Sequence, residues 1–324
     1  MSATADVAGL VAKAREGQPR AVARLISFVE DASPLMRDVT AALAPHTGHA
    51  MVIGLTGAPG VGKSTTTSAL VAEYRGRGKR VGVLAVDPSS PFSGGALLGD
   101  RIRMQDHATD SGVFIRSMAS RGHLGGLSWA TPQAIRVLDA AGFDVVLVET
   151  VGVGQSEVEV AGAADTTVVL LAPGMGDGVQ AAKAGILEIG DVFVVNKADR
   201  DGVESTMREI RHMLSLGSGP RSGSDGDSWV APVLRSIASR GEGIVEIVDA
   251  IDEHRVWLER TGQLLNRRQV RAASEVEAIA FGLLRARIGD LSGDARLESL
   301  AARVVAGAID PYAAADSLVA GLSN

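Results

Sequence analysis

One short stretch limits the possible folds of this chain more than any other. The eight residues from Gly57 to Ser64 have the spacing G-x-x-x-x-G-K-[ST]. They follow an apolar run that starts at Met51, and they precede a segment, Thr65 to Tyr74, whose pattern predicts a helix. Between a strand and a helix, such a loop surrounds a phosphate with backbone N–H groups, and the helix N-terminus adds positive potential. The sequence therefore predicts an α/β fold that binds a nucleoside triphosphate.

Individual residues of this loop have separate predicted tasks. Lys63 is expected to reach the outer phosphates as a point charge, and the Ser64 hydroxyl is expected to bind Mg²⁺. Glycines let the backbone approach the phosphates without a clash from a Cβ atom. The residues expected to contact the nucleotide here are Gly57, Ala58, Pro59, Gly60, Val61, Gly62, Lys63, Ser64 and Thr65.

Two acidic residues follow predicted buried strands. Asp87 ends the apolar run that begins near Lys79, and Glu149 ends the run that begins at Phe143. Ligands of open α/β sheets lie at the carboxyl ends of strands, so we expect both carboxylates near the Mg²⁺. Glu149-x-x-Gly152 has the form of a segment that senses the γ-phosphate. The alternative for either acid is a helix N-cap or the surface end of a strand.

A second motif predicts which base is bound. Asn196, Lys197 and Asp199 form N-K-x-D after the apolar run 192–195. The carboxylate of Asp199 can accept hydrogen bonds from N1–H and the 2-amino group of guanine, whereas adenine offers neither donor. We therefore expect GTP and GDP rather than adenine nucleotides. A short segment after the next strand is expected to support the base through its backbone amides, and it comprises Ser236, Ile237 and Ala238.

Composition excludes several classes of function. The net charge of −6 argues against a nucleic-acid partner or an anionic membrane surface. The chain contains no cysteine, which excludes disulfides and thiolate metal sites. No apolar run approaches the roughly 18–20 residues of a membrane span, and no secretory signal is visible, so a cytoplasmic protein without a membrane partner is expected.

The pattern of apolar residues divides the 324-residue chain into three parts. Residues 1–48 read as a helical extension, 49–260 as the nucleotide domain and 261–324 as a helical tail. Within the second part, the Gly/Ser-rich stretch 217–227 is predicted to be a surface loop. The apolar faces of the tail need something to cover them, either the chain's own domain or a second copy of the chain.

Three longer runs resemble one known family. They are the 18 residues from Asp87 to Met104, the segment from Glu149 to Glu157, and Pro173 to Asp177. Together with N-K-x-D, they are similar to the MeaB/ArgK/MMAA family of P-loop GTPases, over residues 5–320. The resemblance implies an α/β P-loop NTPase with a mostly parallel sheet flanked by helices, an N-terminal helical collar and a C-terminal helical dimerisation tail.

The resemblance also implies a function. Members of this family are GTPase chaperones of adenosylcobalamin-dependent methylmalonyl-CoA mutase, which gate cofactor loading and protect or rescue the mutase. They are homodimers in which the C-terminal helices form much of the contact. Adenosylcobalamin is handled only through the partner mutase.

Lys63 and Glu149 are candidate catalytic residues. The resemblance adds further residues to the site. It places Ser64, Asp87, Asp100 and Glu149 around the Mg²⁺, directly or through water. It makes 172–183 a mobile segment that contacts the mutase and brings Lys183 towards the nucleotide. Gln155 is a candidate for orienting the attacking water, although its place three residues after Gly152 differs from that of the glutamine in Ras-like proteins.

Three other functions remain open from the sequence. The chain can be the chaperone of a sister acyl-CoA mutase, which the sequence does not separate from the first choice. A metal-inserting GTPase is less consistent with a chain that has no cysteine and six scattered histidines. An arginine/ornithine transport kinase would need an acceptor pocket with a base beside it, and no such arrangement is evident.

Overall fold

The computed structural model describes most of the chain in well-defined segments. These segments are residues 6–31, 33–87, 105–107, 109–119, 130–150, 156–174, 186–217, 221–222, 228–288 and 295–320. They fall into two compact units, Met1–Arg267 and Arg268–Asn324. No helix of the described segments is both long enough and apolar enough to cross a membrane.

Among the described residues, the first unit contains nine strands, seven of which form the main sheet, and helices that connect them. Its strands are β1 (Met51–Thr56), β2 (Val81–Asp87), β3 (Val113–Ala119), β4 (Val145–Thr150), β5 (Thr166–Leu171), β6 (Val192–Val195), β7 (Arg221–Ser222), β8 (Ser228–Trp229) and β9 (Val233–Arg235). Its helices are α1 (Val7–Arg15), α2 (Pro19–Glu30), α3 (Met36–Leu43), α4 (Lys63–Gly76), α5 (Thr131–Ala140), α6 (Ser156–Ala163), α7 (Ile186–Ile189), α8 (Val203–Gly217) and α9 (Ile244–Arg260).

The main sheet has the strand order β3-β2-β4-β1-β5-β6-β9, and every neighbouring pair is parallel. Every residue of β1, β4, β5 and β6 is buried, as expected for strands that helices cover on both faces. The chain order reverses on either side of β1, so the loop that follows β1 lies at the crevice where ligands bind in such sheets. The predicted α/β fold with a mostly parallel sheet is confirmed.

The N-terminal collar is formed by α1, α2 and α3. Pro19 opens α2 at its first turn, where no N–H group is needed. Leu25, Ile26 and Val39 are fully buried and share one core with Val146 of β4. The collar is therefore part of the first compact unit and covers one face of the sheet.

The structure adds features that the sequence did not indicate. The edge strand β3 was not predicted. β7 lies within the predicted surface loop 217–227 and pairs with β8, which directly follows that loop, in a small antiparallel ribbon. Helices α5, α6 and α8 were likewise not predicted. Short 3₁₀ turns lie at Ala44–His46, Gln105–His107 and Ala238–Arg240.

The C-terminal part is helical, as predicted. It comprises α10 (Gln263–Ile288), α11 (Ala295–Val305) and α12 (Pro311–Ala320). Several of its large apolar side chains are exposed in this single chain, among them Val276, Phe281 and Tyr312. Arg267, near the start of α10, donates to both carboxylate oxygens of the buried Asp191 at 3.0 and 3.1 Å.

Candidate functional site

The predicted phosphate loop lies between β1 and α4, as its motif requires. Two of its glycines have backbone conformations that other residues adopt only with strain, with φ angles of 139° at Gly57 and 102° at Gly62. A Cβ atom at Gly57 would collide with the carbonyl oxygen of Leu170, and one at Gly62 would collide with the Asn196 amide nitrogen. These two positions require glycine because the loop passes directly against β5 and against the segment that follows β6.

Lys63 is the first residue of α4 and is buried, with 7% of its surface exposed. Its Nζ atom donates to the carbonyl oxygens of Gly57 (2.7 Å) and Ala58 (3.1 Å). The ammonium group is thus held at the loop itself. Lys63 therefore supplies a buried positive charge at a loop whose glycines, which have no Cβ atoms, leave room for an anion.

A pair of hydroxyls binds the carboxylate of Glu149 at the end of β4. Ser64 donates to Oε1 at 2.7 Å, and Thr67 donates to Oε2 at 2.9 Å. The side chains of Ser64 and Glu149 are almost fully buried. Thr67 was not predicted from the sequence, although its spacing of three residues from Ser64 places both hydroxyls on one face of the helix. The structure thus places the Ser64 hydroxyl and the Glu149 carboxylate within hydrogen-bond distance of each other.

The other predicted metal and catalytic residues are only partly described. The backbone of Asp87 ends β2, one residue past the Val86–Thr150 pairing, and is therefore at the same edge of the sheet as Glu149. Asp100, Gly152, Gln155 and Lys183 lie outside the described residues. Their roles stay predictions.

Asn196 connects the phosphate loop to the base motif. Its amide nitrogen donates to the carbonyl oxygen of Val61 at 2.8 Å. Its Oδ1 accepts from the Ser236 hydroxyl and from the Ala238 backbone N–H, both at 3.1 Å. One buried side chain therefore joins segments that follow β1, β6 and β9.

Lys197 and Asp199 lie in the exposed turn that follows Asn196. Lys197 has a positive φ of 59°, and its Nζ donates to the Gly60 carbonyl oxygen. Asp199 lies 3.8 Å from the guanidinium of Arg240, and both side chains are largely exposed. An exposed ion pair contributes at most about 1 kcal/mol, so it leaves the Asp199 carboxylate accessible to a ligand.

The segment from Ser236 to Ala238 differs from the prediction in one respect. Its backbone N–H groups were expected to face the base, yet all three donate within the protein. Ser236 donates to the Val195 carbonyl, and Ile237 donates to the Glu242 carbonyl, both at 3.0 Å, while Ala238 donates to Asn196. In this structure the segment positions Asn196, because its amides complete backbone and side-chain hydrogen bonds before any ligand binds.

The residues present fit a phosphate group and a hard cation. A Cβ atom added at the exposed Gly60 would meet no other atom within 4 Å, so the loop has open space at this residue. Hydroxyl and carboxylate oxygens such as those of Ser64 and Glu149 are the ligands that Mg²⁺ prefers. The described residues contain no group of three or more His, Asp or Glu side chains arranged to hold a metal by themselves.

The fold and the site together define the class of protein: this is a P-loop NTPase with the guanine motif N-K-x-D. The family described as "Methylmalonyl Co-A mutase-associated GTPase MeaB" matches residues 22–290. The chain belongs to this family, which confirms the resemblance that the sequence motifs indicated. It is accordingly a GTPase that binds guanine nucleotides.

Individual relatives agree with the family match. A Pyrococcus abyssi protein is 47% identical over 310 residues, which cover 96% of this chain and 95% of the relative. The GTPase ArgK of Escherichia coli is 39% identical over 277 residues, 84% of this chain and 82% of that protein. A solved structure of an LAO/AO transport system kinase superimposes with a TM-score of 0.74 at 27% identity, over the full length of both chains.

The contact between Gly62 and Asn196 leads to a first prediction. Gly62→Ala is expected to lower the free energy of unfolding by more than Gly60→Ala does. Both positions have positive φ, with a strain of about 1–2 kcal/mol for alanine, but only the Cβ atom at position 62 also displaces the Asn196 amide. Urea denaturation of the nucleotide-free protein measures the difference. Equal losses in the two variants would contradict the contact.

Proposed function

We propose that this GTPase is a chaperone of adenosylcobalamin-dependent methylmalonyl-CoA mutase, which gates cofactor loading and protects or reactivates the mutase. The observation that carries this proposal is membership, over residues 22–290, of a family whose description names an association with that mutase. Adenosylcobalamin contacts the mutase, and this chain supplies the nucleotide-dependent step. A sister acyl-CoA mutase is the alternative partner within the same proposal.

The phosphate end of the proposed nucleotide site is formed by residues 57–65. Backbone N–H groups of the loop and the N-terminus of α4 bind the phosphates. The Lys63 ammonium, which now binds the Gly57 and Ala58 carbonyls, transfers to the outer phosphate oxygens. This exchange replaces two neutral acceptors with charged ones, which strengthens each hydrogen bond.

Ser64 and Glu149 are the proposed holders of Mg²⁺, with Asp87 and, from the family resemblance, Asp100. When bound, Mg²⁺ would neutralise negative charge on the β- and γ-phosphate oxygens. Thr67 keeps the Glu149 carboxylate oriented through its hydrogen bond to Oε2. Gly152, Gln155 and Lys183 complete the proposed hydrolytic site by resemblance, with Gln155 orienting water and Lys183 approaching the phosphates.

The base end of the proposed site is formed by the N-K-x-D turn. Asp199 accepts two hydrogen bonds from guanine, and the stem of Lys197 covers one face of the ring. Asn196 fixes this turn against the phosphate loop through Val61. The support from Ser236, Ile237 and Ala238 is indirect in this arrangement, since Ser236 and Ala238 hold Asn196 in place and Ile237 donates to the Glu242 carbonyl.

Stimulated hydrolysis tests the proposed partner. GTP turnover is expected to rise when purified methylmalonyl-CoA mutase is added, because a partner can order the segment that carries Lys183. Lys183→Ala is expected to lose most of this acceleration and to keep the intrinsic rate. Lys13→Ala, an exposed lysine of α1, serves as the matched control.

The outcomes of this experiment are distinct. Equal stimulation of the parent and Lys183→Ala would remove Lys183 from the mechanism. If the parent is not stimulated by this mutase, the proposed partner is wrong, and stimulation by a sister acyl-CoA mutase alone would replace it.

We also propose that the chain forms a homodimer through its C-terminal helices. Exposed apolar side chains on α10, such as Val276 (67% exposed) and Phe281 (63%), support a contact that removes them from water. Deletion of residues 268–324 is expected to give a monomer that still binds GDP, since Arg267 and its partner Asp191 are retained. Light scattering measures the mass. A full-length monomer at micromolar concentration would contradict the dimer.

A further inference from the structure

The helix that follows the phosphate loop carries more hydroxyl groups than the loop motif requires. Ser64 completes the motif, and three threonines follow it, of which Thr65 is exposed while Thr66 and Thr67 are fully buried. Of these three, only Thr67 lies three residues after Ser64 and so shares its face of α4. Its hydroxyl is a buried polar group beside the proposed cation site, and the motif gives it no task.

The carboxylate that this hydroxyl meets is held in place by the sheet. Glu149 pairs with Leu55 of β1 on one side and with Ala85 of β2 on the other. The residue is 3% exposed, so its carboxylate meets the hydroxyls of α4 inside the protein. The sheet therefore fixes the backbone of Glu149, and α4 supplies partners for its head group.

Each oxygen of the Glu149 carboxylate has a donor on α4. Ser64 donates to Oε1 at 2.7 Å, and Thr67 donates to Oε2 at 2.9 Å. The Thr67 hydroxyl also lies 3.0 Å from the Lys63 carbonyl oxygen, but it has a single proton. An ionised carboxylate is the stronger of the two acceptors, so Thr67 directs this proton to Oε2.

The two oxygens of Glu149 consequently differ in what they can do. Ser64 donates its single proton to Oε1, so its own oxygen meets a cation through lone pairs, and Oε1 is the carboxylate oxygen beside it. A cation can bind Oε2 only in competition with the hydrogen bond from Thr67. Glu149 therefore offers one oxygen to a cation more readily than two.

Divalent cations differ in how they use a carboxylate. Mg²⁺ keeps a compact octahedral shell that includes several waters, whereas Ca²⁺ takes about six to eight oxygens in a flexible geometry and can bind both oxygens of one carboxylate. A second carboxylate oxygen that is bonded to Thr67 removes an arrangement that Ca²⁺ uses and Mg²⁺ does not need.

We propose that Thr67 determines the cation specificity of this site. By holding Oε2 of Glu149, it limits the carboxylate to one oxygen for the cation, which suits Mg²⁺ and disfavours Ca²⁺. Thr67 is a positioning residue, because it acts on the cation through Glu149. The inference rests on the proposed Mg²⁺ site and is independent of the partner protein.

Two substitutions at position 67 distinguish the hydroxyl from the shape of the side chain. Thr67→Val keeps the branched shape and removes the proton donor, whereas Thr67→Ser keeps the donor. Thr66→Val is the matched control, since Thr66 is equally buried on the same helix and its hydroxyl donates to the Gly62 carbonyl oxygen at 3.0 Å. Circular dichroism and thermal denaturation verify that every variant is folded.

The measurement is cation binding without turnover. The full-length protein is saturated with guanosine 5′-(β,γ-imido)triphosphate, unbound nucleotide is removed, and bound Mn²⁺ is followed by electron paramagnetic resonance while Mg²⁺ or Ca²⁺ displaces it. The ratio of the Ca²⁺ to the Mg²⁺ dissociation constant is expected to fall about tenfold in Thr67→Val, the size of effect expected for one hydrogen bond to a charged group. Thr67→Ser and Thr66→Val are expected to keep the ratio of the parent.

A second background tests whether Thr67 acts through Glu149. Glutamine has a single side-chain oxygen, so the Glu149→Gln protein cannot offer two oxygens to a cation, with or without Thr67. Thr67→Val is therefore expected to leave the ratio of the two dissociation constants unchanged in this background.

Each result supports or overturns the inference. A fall of the ratio in Thr67→Val that is absent from Thr67→Ser, from Thr66→Val and from the Glu149→Gln background supports it. An unchanged ratio in Thr67→Val, even with a lower melting temperature, overturns it, as does an equal fall in Thr66→Val or in the Glu149→Gln background. A parent complex that binds no Mn²⁺ would refute the proposed Mg²⁺ site itself, and this inference with it.

Discussion

Replacement of Lys63 by alanine is expected to lower GTP hydrolysis by about 10²–10³-fold, the usual effect of removing one group that stabilises developing negative charge. The ammonium donates to the loop carbonyls of Gly57 and Ala58, and we expect the variant to remain folded. Turnover of GTP at saturating concentration and binding of labelled GTP measure the effect.

Lys63→Met separates charge from volume in the same experiment. Methionine keeps most of the buried stem of Lys63, so a loss of activity equal to that of the alanine variant would assign the effect to the ammonium group. Thermal denaturation verifies the fold of both. Hydrolysis at the parental rate in either variant would mean that this loop does not bind the transferring phosphate.

Asp199→Asn is expected to reverse the choice of base. The parent should prefer GTP to ATP by on the order of 10³-fold or more, because a purine without the two donors leaves the carboxylate unpaired. Xanthine carries a carbonyl in place of the 2-amino group, and an asparagine amide can donate to it. The variant should therefore bind XTP more tightly than GTP.

Asp201→Asn is the matched control for this change, since Asp201 is an exposed carboxylate two residues further along the same turn. Competition between labelled GTP and unlabelled ATP, GTP and XTP measures all preferences together. Equal affinities of the parent for GTP and ATP would refute the assignment of Asp199 to guanine.

The parts of the site that were predictable from the sequence are those carried by contiguous motifs. The glycine pattern from Gly57 to Ser64 and the N-K-x-D turn are each read within eight residues, because their chemistry depends on neighbouring backbone groups. The central strands were predictable for a similar reason. A strand that is buried on both faces is mostly apolar: β6 is apolar throughout, and β5 has four apolar residues after two threonines.

The features that were not predicted depend on residues far apart in the chain. The edge strand β3 mixes polar and apolar residues, since only part of it is buried, and no continuous apolar run identifies it. The contact between Thr67 and Glu149 joins residues 82 positions apart, and the hydrogen bond from Asn196 to Val61 joins residues 135 positions apart. No local pattern encodes either of them.

The hydrogen bond from Asn196 to Val61 links the base end of the proposed nucleotide site to its phosphate end. It joins residues 135 positions apart, which the pairing of β1 with β5 and of β5 with β6 already brings close together, so the contact exists before any nucleotide binds. Purine and phosphate groups are therefore expected to bind to segments that Asn196 has already joined. Guanosine alone, though it lacks phosphates, would slow amide hydrogen exchange in the loop from Gly57 to Gly62, and pyrophosphate alone would do the same for the turn at Lys197.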